Sequence, residues 1–367
     1  MVENTRDQIG HTKIKVVGVG GGGSNAVSRM FRDPIRGVEY IVVNTDSQAL
    51  LRCDVPMRVG IGEVLTEGKG VGGSPDMGAR AADESRDALI ETVNDSDMVF
   101  VAAGMGGGTG TGAAPVIAEI VKETGALTVG VVTTPFEFEG VRRFRSAQDG
   151  IKKLQESVDT LLVIPNQRLS MIAEDELTTE NAFRMADDVL RLGVQSIAEL
   201  VTVPGEINLD FADVQAVMRD AGPAWMSIGW GTGEHRAKDA AQQAISNPLL
   251  DVSIDGATGV LFNISGGSDL KLSELNEAAE VIQRVVHPDC NIIFGMATDQ
   301  KNDNEIKLTV IATGFPTPES MKETDEGLQD MLEQVSAGVG EGDLDVPPFL
   351  RRLSKYRSNG RVEMPVS

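Results

Sequence analysis

The sequence has little cysteine, little histidine and a shortage of basic residues, and each shortage excludes a class of protein. Two cysteines in 367 residues, Cys53 and Cys290, exclude a disulfide framework and indicate a reducing compartment. The three histidines are scattered, so neither residue type offers the spacing of a zinc site. Acidic residues outnumber basic ones by 55 to 33, and the net charge of −22 argues against nonspecific nucleic-acid binding.

Long hydrophobic runs are also missing. No stretch of about 18 apolar residues occurs, so we predict no transmembrane helix. Residues 1–12 lack the basic start and apolar core of a secretory signal and are expected to form a flexible leader. Together with the scarcity of cysteine, this predicts a cytoplasmic protein.

What the sequence has in excess is glycine. Its 41 glycines follow no collagen period and cluster in Gly18–Gly23, Gly68–Gly78 and Gly104–Gly112. Glycine lets a backbone approach a ligand closely and adopt positive φ at little cost. The clusters are therefore the first candidates for a binding site.

The first half of the chain alternates apolar runs with amphipathic stretches. The predicted strands are Ile14–Val17, Tyr40–Val43, Met98–Ala103, Leu127–Val132 and Thr160–Ile164, and the predicted helices are Asn25–Phe31, Asp76–Val93, Pro115–Thr124 and Val141–Val158. The strand runs are almost continuously apolar, as in sheets that are covered by helices on both faces. This pattern predicts an α/β fold with a parallel, doubly wound sheet over residues 13–178.

The second half has a different spacing of elements. A long helical pattern, Thr179–Val203, is expected to connect two domains over residues 179–205. The following region, 206–316, is predicted to be a second α/β domain with a mixed sheet. Its helices are Phe211–Arg219, Ala237–Ile245 and Leu272–Val286, and its strands are Trp225–Ile228, Gly259–Ile264, Ile292–Met296 and Ile306–Ala312. Residues 317–345 indicate an acidic linker, and 346–367 a recognition segment with a basic tail.

The first glycine cluster joins a strand to a helix, which is a geometry that presents backbone N–H groups to phosphate. Gly18, Gly20 and Gly23 fit the dinucleotide-binding pattern, and Asp46 falls where a ribose-binding acid would lie. A dinucleotide-dependent oxidoreductase of the Rossmann type is therefore one open interpretation.

The other two clusters favour a different interpretation. Met98–Ala103 runs into a second glycine loop that ends in GGGTGTG, with Pro115 near the start of the next helix. A third glycine segment, Gly70–Pro75, precedes another helix. Three loops at the carboxyl ends of strands suffice to surround a triphosphate, with Thr109 and Thr111 adding hydroxyl donors, whereas a Rossmann domain needs one loop. The P-loop pattern is absent.

Several motifs resemble the tubulin/FtsZ superfamily, and within it the branch of bacterial cell-division GTPases. They are GVGGGGSNAV at Gly18–Val27, NTD at Asn44–Asp46, GGGTGTG at Gly106–Gly112, PFEFEG at Pro135–Gly140, NLDFADV at Asn208–Val214 and VPPFLRR at Val346–Arg352. The resemblance covers residues 13–316. It implies a GTP-binding domain, a connecting helix and a C-terminal activation domain within the boundaries above. A tubulin-like filament protein with a task other than division remains an alternative.

The resemblance also implies which residues bind GTP or GDP. Phe183 would stack on the base, and Asp187 would accept hydrogen bonds from guanine N1–H and N2–H₂. Without the family, Phe183 is more simply a core residue, and Arg143 and Asn166 are equally well a solvated residue and a cap. The full expected set is Gly20, Gly21, Gly22, Asn25, Asn44, Gly72, Gly104, Gly106, Gly107, Gly108, Thr109, Gly110, Thr133, Pro135, Glu139, Arg143, Asn166, Phe183 and Asp187.

The expected catalytic residues lie elsewhere in the chain. Asp210 and Asp213 are spaced to share one face of a helix start, where ordinary N-terminal capping is the simpler explanation on spacing alone. The resemblance instead implies that Asn208, Asp210 and Asp213 act on the nucleotide of the neighbouring subunit. Hydrolysis would then occur at the contacts of a head-to-tail filament.

The remaining expectations concern cofactors, partners and place. No metal site of the protein's own is expected, and Mg²⁺ would arrive bound to the nucleotide. The partners implied by the resemblance are further copies of the chain and, through Val346–Arg352, membrane-tethering and regulatory division proteins. Specific nucleic-acid binding is not expected. The implied location is the division site.

Overall fold

A computed structural model describes residues 12–172, 178–202, 209–246, 254, 256–298 and 304–315. They belong to one compact unit that ends at Phe315. The expectations for residues 1–11, for Asn208, for the acidic linker 317–345 and for the tail 346–367 lie outside the described residues.

One ten-stranded mixed sheet runs through this unit. Its strands are β1 (Ile14–Val19), β2 (Val38–Asn44), β3 (Met57–Gly60), β4 (Met98–Gly104), β5 (Leu127–Thr134), β6 (Thr160–Pro165), β7 (Gly222–Thr232), β8 (Gly259–Gly266), β9 (Asn291–Thr298) and β10 (Glu305–Thr313). Their order across the sheet is β3-β2-β1-β4-β5-β6-β7-β10-β8-β9. All pairings from β3 to β7 are parallel, whereas β10 is antiparallel to both of its neighbours.

The helices that the structure describes pack on both faces of the sheet. They are α1 (Gly20–Arg32), α2 (Ser47–Leu51), α3 (Glu63–Thr66), α4 (Pro75–Glu84), α5 (Arg86–Val93), α6 (Thr109–Glu123), α7 (Val141–Ser157), α8 (Asn166–Ile172), α9 (Thr179–Thr202), α10 (Phe211–Met218), α11 (Arg236–Ile245) and α12 (Leu272–Gln283). Alternate residues of the strands pack against α1, α9 and α10 on one face and against α4, α5, α6 and α7 on the other. The predicted doubly wound α/β fold is confirmed.

The second half has its own core. β7, β8 and β10 pack against α11 and α12 around Phe262 and Ile306. The buried guanidinium of Arg236 ties α11 to α12, because its Nε lies 2.6 Å from Glu274 and its Nη1 lies 2.8 Å from Asp269. The predicted mixed sheet of this half is confirmed.

Several predicted boundaries were wrong. α1 begins at Gly20 rather than at Asn25, so most of the first glycine cluster forms the first helical turn. Pro115 lies in the interior of α6, not near its start, and leaves the carbonyl of Thr111 without its helical donor. The single helix expected over Asp76–Val93 is divided at Ser85 into α4 and α5. The short elements β3, α2, α3 and α8 were not predicted.

The parallel strands give the sheet two distinct edges, and α9 connects them. The glycine clusters after β1 and β4 lie at the carboxyl edge, where the strands end. Helix α9 follows α8, which begins directly after the end of β6. The 24 residues of α9 span about 36 Å. Its last residue, Thr202, lies beside Gly37, just before the start of β2, so α9 ends at the amino edge.

Among the helices that the structure describes, none combines the length and the apolar character that a membrane crossing requires.

Candidate functional site

The glycine clusters Gly18–Gly23 and Gly104–Gly112 meet where the strand order reverses. β1 and β4 are neighbours, and the chain adds β2 and β3 on one side of this pair and β5 and β6 on the other. Ligands of open α/β sheets bind in this crevice, beyond the carboxyl ends of the strands. A Cβ on Gly20 would lie 2.6 Å from the backbone N of Gly110, and one on Gly22 would lie 3.3 Å from the Cα of Gly104. These glycines let α1 and α6 begin side by side.

The third glycine segment packs on the second. A Cβ on Gly108 would lie 2.5 Å from Val71 and 2.9 Å from the backbone N of Ser74. Gly72 and Gly73 both have positive φ, which explains the residue type at these positions. This segment follows helix α3 rather than a strand, contrary to the expectation, but it joins the same crevice.

Other glycines of the three segments face open space. An added Cβ would meet no atom within 4 Å at Gly21, Gly72, Gly73 or Gly107. Gly21 lines a cavity of about 710 Å³, and the other three line a cavity of about 750 Å³. Their peptide groups are therefore exposed to ligand-sized spaces that a side chain would narrow.

The hydroxyl and amide groups near the loops bond mainly to the protein itself. The Thr109 hydroxyl lies 2.7 Å from that of Thr45. The buried Thr111 hydroxyl accepts a hydrogen bond from the N–H of Gly106 at 2.8 Å, so it helps to shape the loop. Asn44 accepts from the N–H of Thr45 at 2.9 Å. Asp46 caps α2 by accepting from the N–H groups of Gln48 and Ala49, which is not the geometry of a ribose-binding acid.

The end of β5 supports the second loop. The N–H of Met105 donates to the carbonyl of Thr133 at 2.9 Å, and a Cβ on Gly106 would lie 3.3 Å from the ring of Pro135. Glu139 and Arg143 form an ion pair of 2.5 Å across one helical turn. Glu139 also accepts from the N–H of Phe136 at 2.9 Å, so the carboxylate is fixed while the guanidinium remains exposed.

Asn166 is the first residue of α8 and comes directly after the end of β6. It is buried, yet its Oδ1 has no hydrogen-bond partner within the described chain. Because buried acceptors are almost always satisfied, this oxygen is available to a ligand donor.

Phe183 and Asp187 lie one turn apart on α9. The Phe183 ring is 42% exposed and makes edge contacts with Phe136 and Phe138, at centroid distances of 5.5 and 6.3 Å. Asp187 is buried, and its Oδ2 lies 3.0 Å from the Nε of Arg29. Burial raises the pKa of Asp187 to about 6, against the lowering effect of Arg29.

Arg29 was not predicted from the sequence. It lies four residues after Asn25 on α1 and lines the 710 Å³ cavity together with Asn25 and Gly21. A helical projection would have placed Asn25 and Arg29 on one face. Its charge partner on α9, Asp187, is 158 residues away in the sequence, so the ion pair could be identified only from the structure.

Asp210 and Asp213 form a reciprocal capping box at the start of α10. The N–H of Asp213 donates to Asp210 Oδ1 at 2.9 Å, and the N–H of Asp210 donates to Asp213 Oδ2 at 3.3 Å. The last residue of α10, Met218, accepts a hydrogen bond from Thr160 at the start of β6. The C-terminal end of α10 therefore lies at the amino edge of the sheet, opposite to the glycine clusters.

Comparisons with known proteins agree with this geometry. Residues 13–174 match the model of the Tubulin/FtsZ family, GTPase domain, and residues 222–316 match that of the FtsZ family, C-terminal domain. A structure of an empty FtsZ dimer from M. jannaschii is 44% identical, with a TM-score of 0.79, and the match covers 84% of this chain and 89% of that one.

The chain belongs to the tubulin/FtsZ family. It is a GTPase, and GTP and GDP are its nucleotides. The family is one of polymerising cytoskeletal proteins. A mutant of the M. jannaschii FtsZ is similar to the same degree, at 44% identity and a TM-score of 0.79 over 83% of this chain and 92% of that one.

More distant structures share the fold of this FtsZ-family chain. The GDP-bound monomer of CetZ1 from Haloferax volcanii is 21% identical, with a TM-score of 0.73 over 85% of this chain and 97% of that one. CetZ2 from the same organism, solved as a protofilament with GTPγS, is 20% identical, with a TM-score of 0.71 over 89% of this chain and 100% of that one. The family match removes the Rossmann oxidoreductase interpretation.

Proposed function

We propose that this GTPase assembles head to tail into filaments and hydrolyses GTP only at the contact between two subunits. The observation that carries the proposal is the separation of the two halves of the site. The glycine clusters are at the carboxyl edge of the sheet, whereas α9 ends at the amino edge and the last residue of α10, the helix that Asp210 and Asp213 begin, also lies there. From this separation we infer that a subunit does not bring its own carboxylates to its own nucleotide.

In this proposal the three glycine segments bind the phosphates. The exposed peptide groups of Gly21, Gly72 and Gly107 offer N–H donors, and the N-termini of α1 and α6 add favourable dipoles. Arg143 supplies positive charge, and Glu139 orients it. Asn166 contributes its unpartnered oxygen, with ribose hydroxyls as the fitting donors.

The base would lie at α9. Phe183 offers an exposed ring for stacking, and Asp187 offers carboxylate oxygens to guanine N1–H and N2–H₂. Asn25, on α1, lines the cavity of about 710 Å³ together with Gly21. Gly20, Gly22, Gly104, Gly106, Gly108, Gly110, Asn44, Thr109, Thr133 and Pro135 would shape the surrounding loops through the contacts described above.

The neighbouring subunit would complete the catalytic site. Its Asp210 and Asp213, with Asn208 nearby in the sequence, would orient and polarise the water that attacks the γ-phosphate. Phosphoryl transfer depends mainly on positioning and on neutralising charge, so Mg²⁺ bound to the phosphates belongs to the proposal. A head-to-tail contact of this kind repeats without closing and so produces a filament. The M. jannaschii FtsZ, solved as a dimer, supports self-association.

We further propose that the filament acts in cell division, at the division site. The support is the family match together with the VPPFLRR segment at Val346–Arg352, which would bind membrane-tethering and regulatory partners. The domain boundaries of the sequence analysis, 13–178, 179–205 and 206–316, stand as part of this proposal. The family models, at 13–174 and 222–316, divide the chain in a similar way.

The test is phosphate release from GTP as a function of protein concentration, with Mg²⁺ and with simultaneous light scattering. We expect scattering to rise on addition of GTP, and turnover per subunit to appear above a threshold concentration. GTP turnover at a constant rate per subunit without scattering would mean that each subunit carries a complete site. That result would overturn the shared-site proposal and leave the GTPase activity intact.

A further inference from the structure

Helices α1 and α9 lie side by side and parallel, with a constant offset in sequence. Arg29 on α1 pairs with Asp187 on α9, and Asp33 at the end of α1 pairs with Arg191. Both pairs are 158 positions apart, because 187 − 29 and 191 − 33 give the same separation. The contact between the two helices is therefore a regular ladder that can be extended by one turn.

Extending the ladder toward the carboxyl edge brings Asn25 level with Phe183. Asn25 is exposed, and the Phe183 ring is partly exposed. The level below is the Arg29–Asp187 pair. Asn25 and Arg29 line one cavity of about 710 Å³, and Asp187 pairs with Arg29 one turn below Phe183, so a base that stacks on Phe183 would direct one edge toward this ion pair.

The Arg29–Asp187 pair places the hydrogen-bond donors of a guanidinium beside the acceptors of a carboxylate. Arg29 approaches Asp187 through its Nε, which lies 3.0 Å from Oδ2. Asp187 offers carboxylate oxygens. A guanidinium has five N–H donors in a rigid plane. One Nη–H is parallel to the Nε–H and faces the same carboxylate, so the other three point away from the pair in fixed directions.

Guanine has the complementary pattern on one edge. Its O6 accepts hydrogen bonds, and the adjacent N1–H and N2–H₂ donate them. Adenine has the opposite pattern, with a donor amino group at position 6 and an acceptor at N1. Adenine would therefore set its donor against Arg29 and its acceptor against the carboxylate, leaving buried groups unpaired on both sides.

We propose that Arg29 reads O6 of the guanine base while Asp187 reads N1–H and N2–H₂, so that the ion pair selects guanine as a unit. This inference rests on the nucleotide site proposed above. Arg29 is a specificity residue in addition to the residues expected from the sequence, and it acts by direct contact with the base.

The experiment changes one atom of the ligand and one residue of the protein. In 6-thio-GDP a sulfur, which is a weak acceptor, replaces O6, while N1–H and N2–H₂ are kept. We expect the full-length protein to bind 6-thio-GDP about tenfold more weakly than GDP. We expect the Arg29→Ala variant to bind the two nucleotides equally, because the donor to position 6 is gone.

Two controls accompany this comparison. The Arg32→Ala variant removes another arginine that lines the same cavity but pairs with Asp54, and it should keep the wild-type preference for GDP. Inosine diphosphate lacks only the 2-amino group, which faces Asp187. Its weaker binding relative to GDP should persist in the Arg29→Ala variant.

A different role for Arg29 gives a different result. If Arg29 only kept Asp187 ionised, Arg29→Ala would weaken GDP and 6-thio-GDP by the same factor, and the tenfold preference would remain. That result would overturn the inference, as would equal binding of both nucleotides by the wild-type protein. If Arg29→Ala proves unstable, the Arg29→Lys variant takes its place. Lysine keeps the positive charge but offers a single ammonium group, so we expect the preference for GDP over 6-thio-GDP to be reduced without being abolished.

The nucleotide site itself is tested separately in the same series. A wild-type protein that binds ADP as well as GDP would contradict the proposed site as a whole. A wild-type protein that prefers GDP over ADP, together with an unchanged 6-thio preference in Arg29→Ala, would contradict only the role of Arg29.

Discussion

At the scale of single residues, Asp187 is a carboxylate whose surroundings act on its proton in opposite directions. Burial raises its pKa to about 6, Arg29 from α1 lowers it, and the adjacent Asp188 raises it. In the proposed site, ionised Asp187 would accept two hydrogen bonds from guanine, whereas protonated Asp187 would carry a donor of its own. The affinity for the nucleotide should therefore depend on the protonation state of Asp187.

We predict that the affinity for GDP is constant above about pH 7 and falls as the pH drops through about 6, where the empty site takes up a proton. The measurement is the dissociation constant of GDP between about pH 8 and pH 5. The matched control is Asp187→Asn, whose amide oxygen does not titrate and whose affinity should follow a flatter profile. A flat profile in the wild-type protein would exclude Asp187 from the base contact.

Asp213 combines a local structural role with the proposed catalytic one. Asparagine at this position can still accept from the N–H of Asp210 and keep the cap, whereas alanine cannot. We therefore predict that Asp213→Asn binds GTP as the wild type does and loses at least about a hundredfold in turnover.

The comparison variant for Asp213→Asn is Asp220→Asn, which removes an exposed carboxylate that pairs with Lys122. This change should leave turnover near the wild-type rate once filaments form. Full turnover in Asp213→Asn would refute the catalytic assignment and leave capping as the function of the residue.

At the scale of elements, two adjacent glycines at the start of α1 have different surroundings: Gly20 is packed against the protein, and Gly21 faces a cavity. Gly20 has a φ of +69°, and a Cβ there would lie 2.6 Å from Gly110. Gly21 has no atom within 4 Å of such a Cβ and opens toward a cavity. Glycine at position 20 is therefore required by the backbone conformation and by packing. Glycine at position 21 is not required by packing, and it leaves space for a ligand.

We predict opposite results for alanine at these two positions. Gly20→Ala should lower the free energy of unfolding by at least about 1–3 kcal/mol, because both the backbone conformation and the contact are unfavourable. Gly21→Ala should leave the thermal midpoint unchanged or slightly raised and weaken GDP binding by more than tenfold, through the methyl group in the phosphate space. Thermal unfolding and GDP titration of both variants check this. Normal GDP binding by Gly21→Ala would place the phosphates elsewhere.

The elements also show what a single sequence reveals. The central strands were predictable because both of their faces are buried, and α9 because of its apolar period. The start of α1 was not predictable, since glycine disfavours helices and the close contact of Gly20 with Gly110 is visible only in the packed structure. The strand β3 is short and largely exposed, so it lacks the apolar pattern of its neighbours.

The site was predictable to a similar extent. Glycine loops after strands indicate phosphate binding from local sequence, and the family resemblance supplied the remaining residues. The Arg29–Asp187 pair joins two helices that are far apart in the chain, so no local pattern contains it. The same holds for the unpartnered oxygen of Asn166, which only the packed structure reveals.

At the scale of the whole molecule, the proposed function divides one catalytic site between two subunits. Two variants that are each inactive should then restore activity when mixed, provided that they are defective in different halves. We predict this for Asp213→Asn, which lacks the acid, mixed with Asp187→Ala, which lacks the base contact. In a random mixture roughly a quarter of the contacts would join an intact pocket to an intact carboxylate.

The measurement is GTP turnover of the equimolar mixture against each variant alone, at a concentration where the wild type forms filaments. Turnover no higher than the sum of the two variants would contradict a site shared between subunits. A mixture of Asp213→Asn with Asp210→Asn serves as the control, because both variants are defective in the same half and should not restore each other.

The continuous sheet described above also has a mechanical consequence. β6 and β7 are joined only over Thr160–Leu162 and Gly222–Ala224 among the described residues, whereas β7 and β10 are joined along almost their whole length. Within the sheet, a force that separates the two halves would load only these three residue pairs. The rest of that force would be carried by the hydrophobic cluster in which Leu261 and Ile311 pack with α9 and α10.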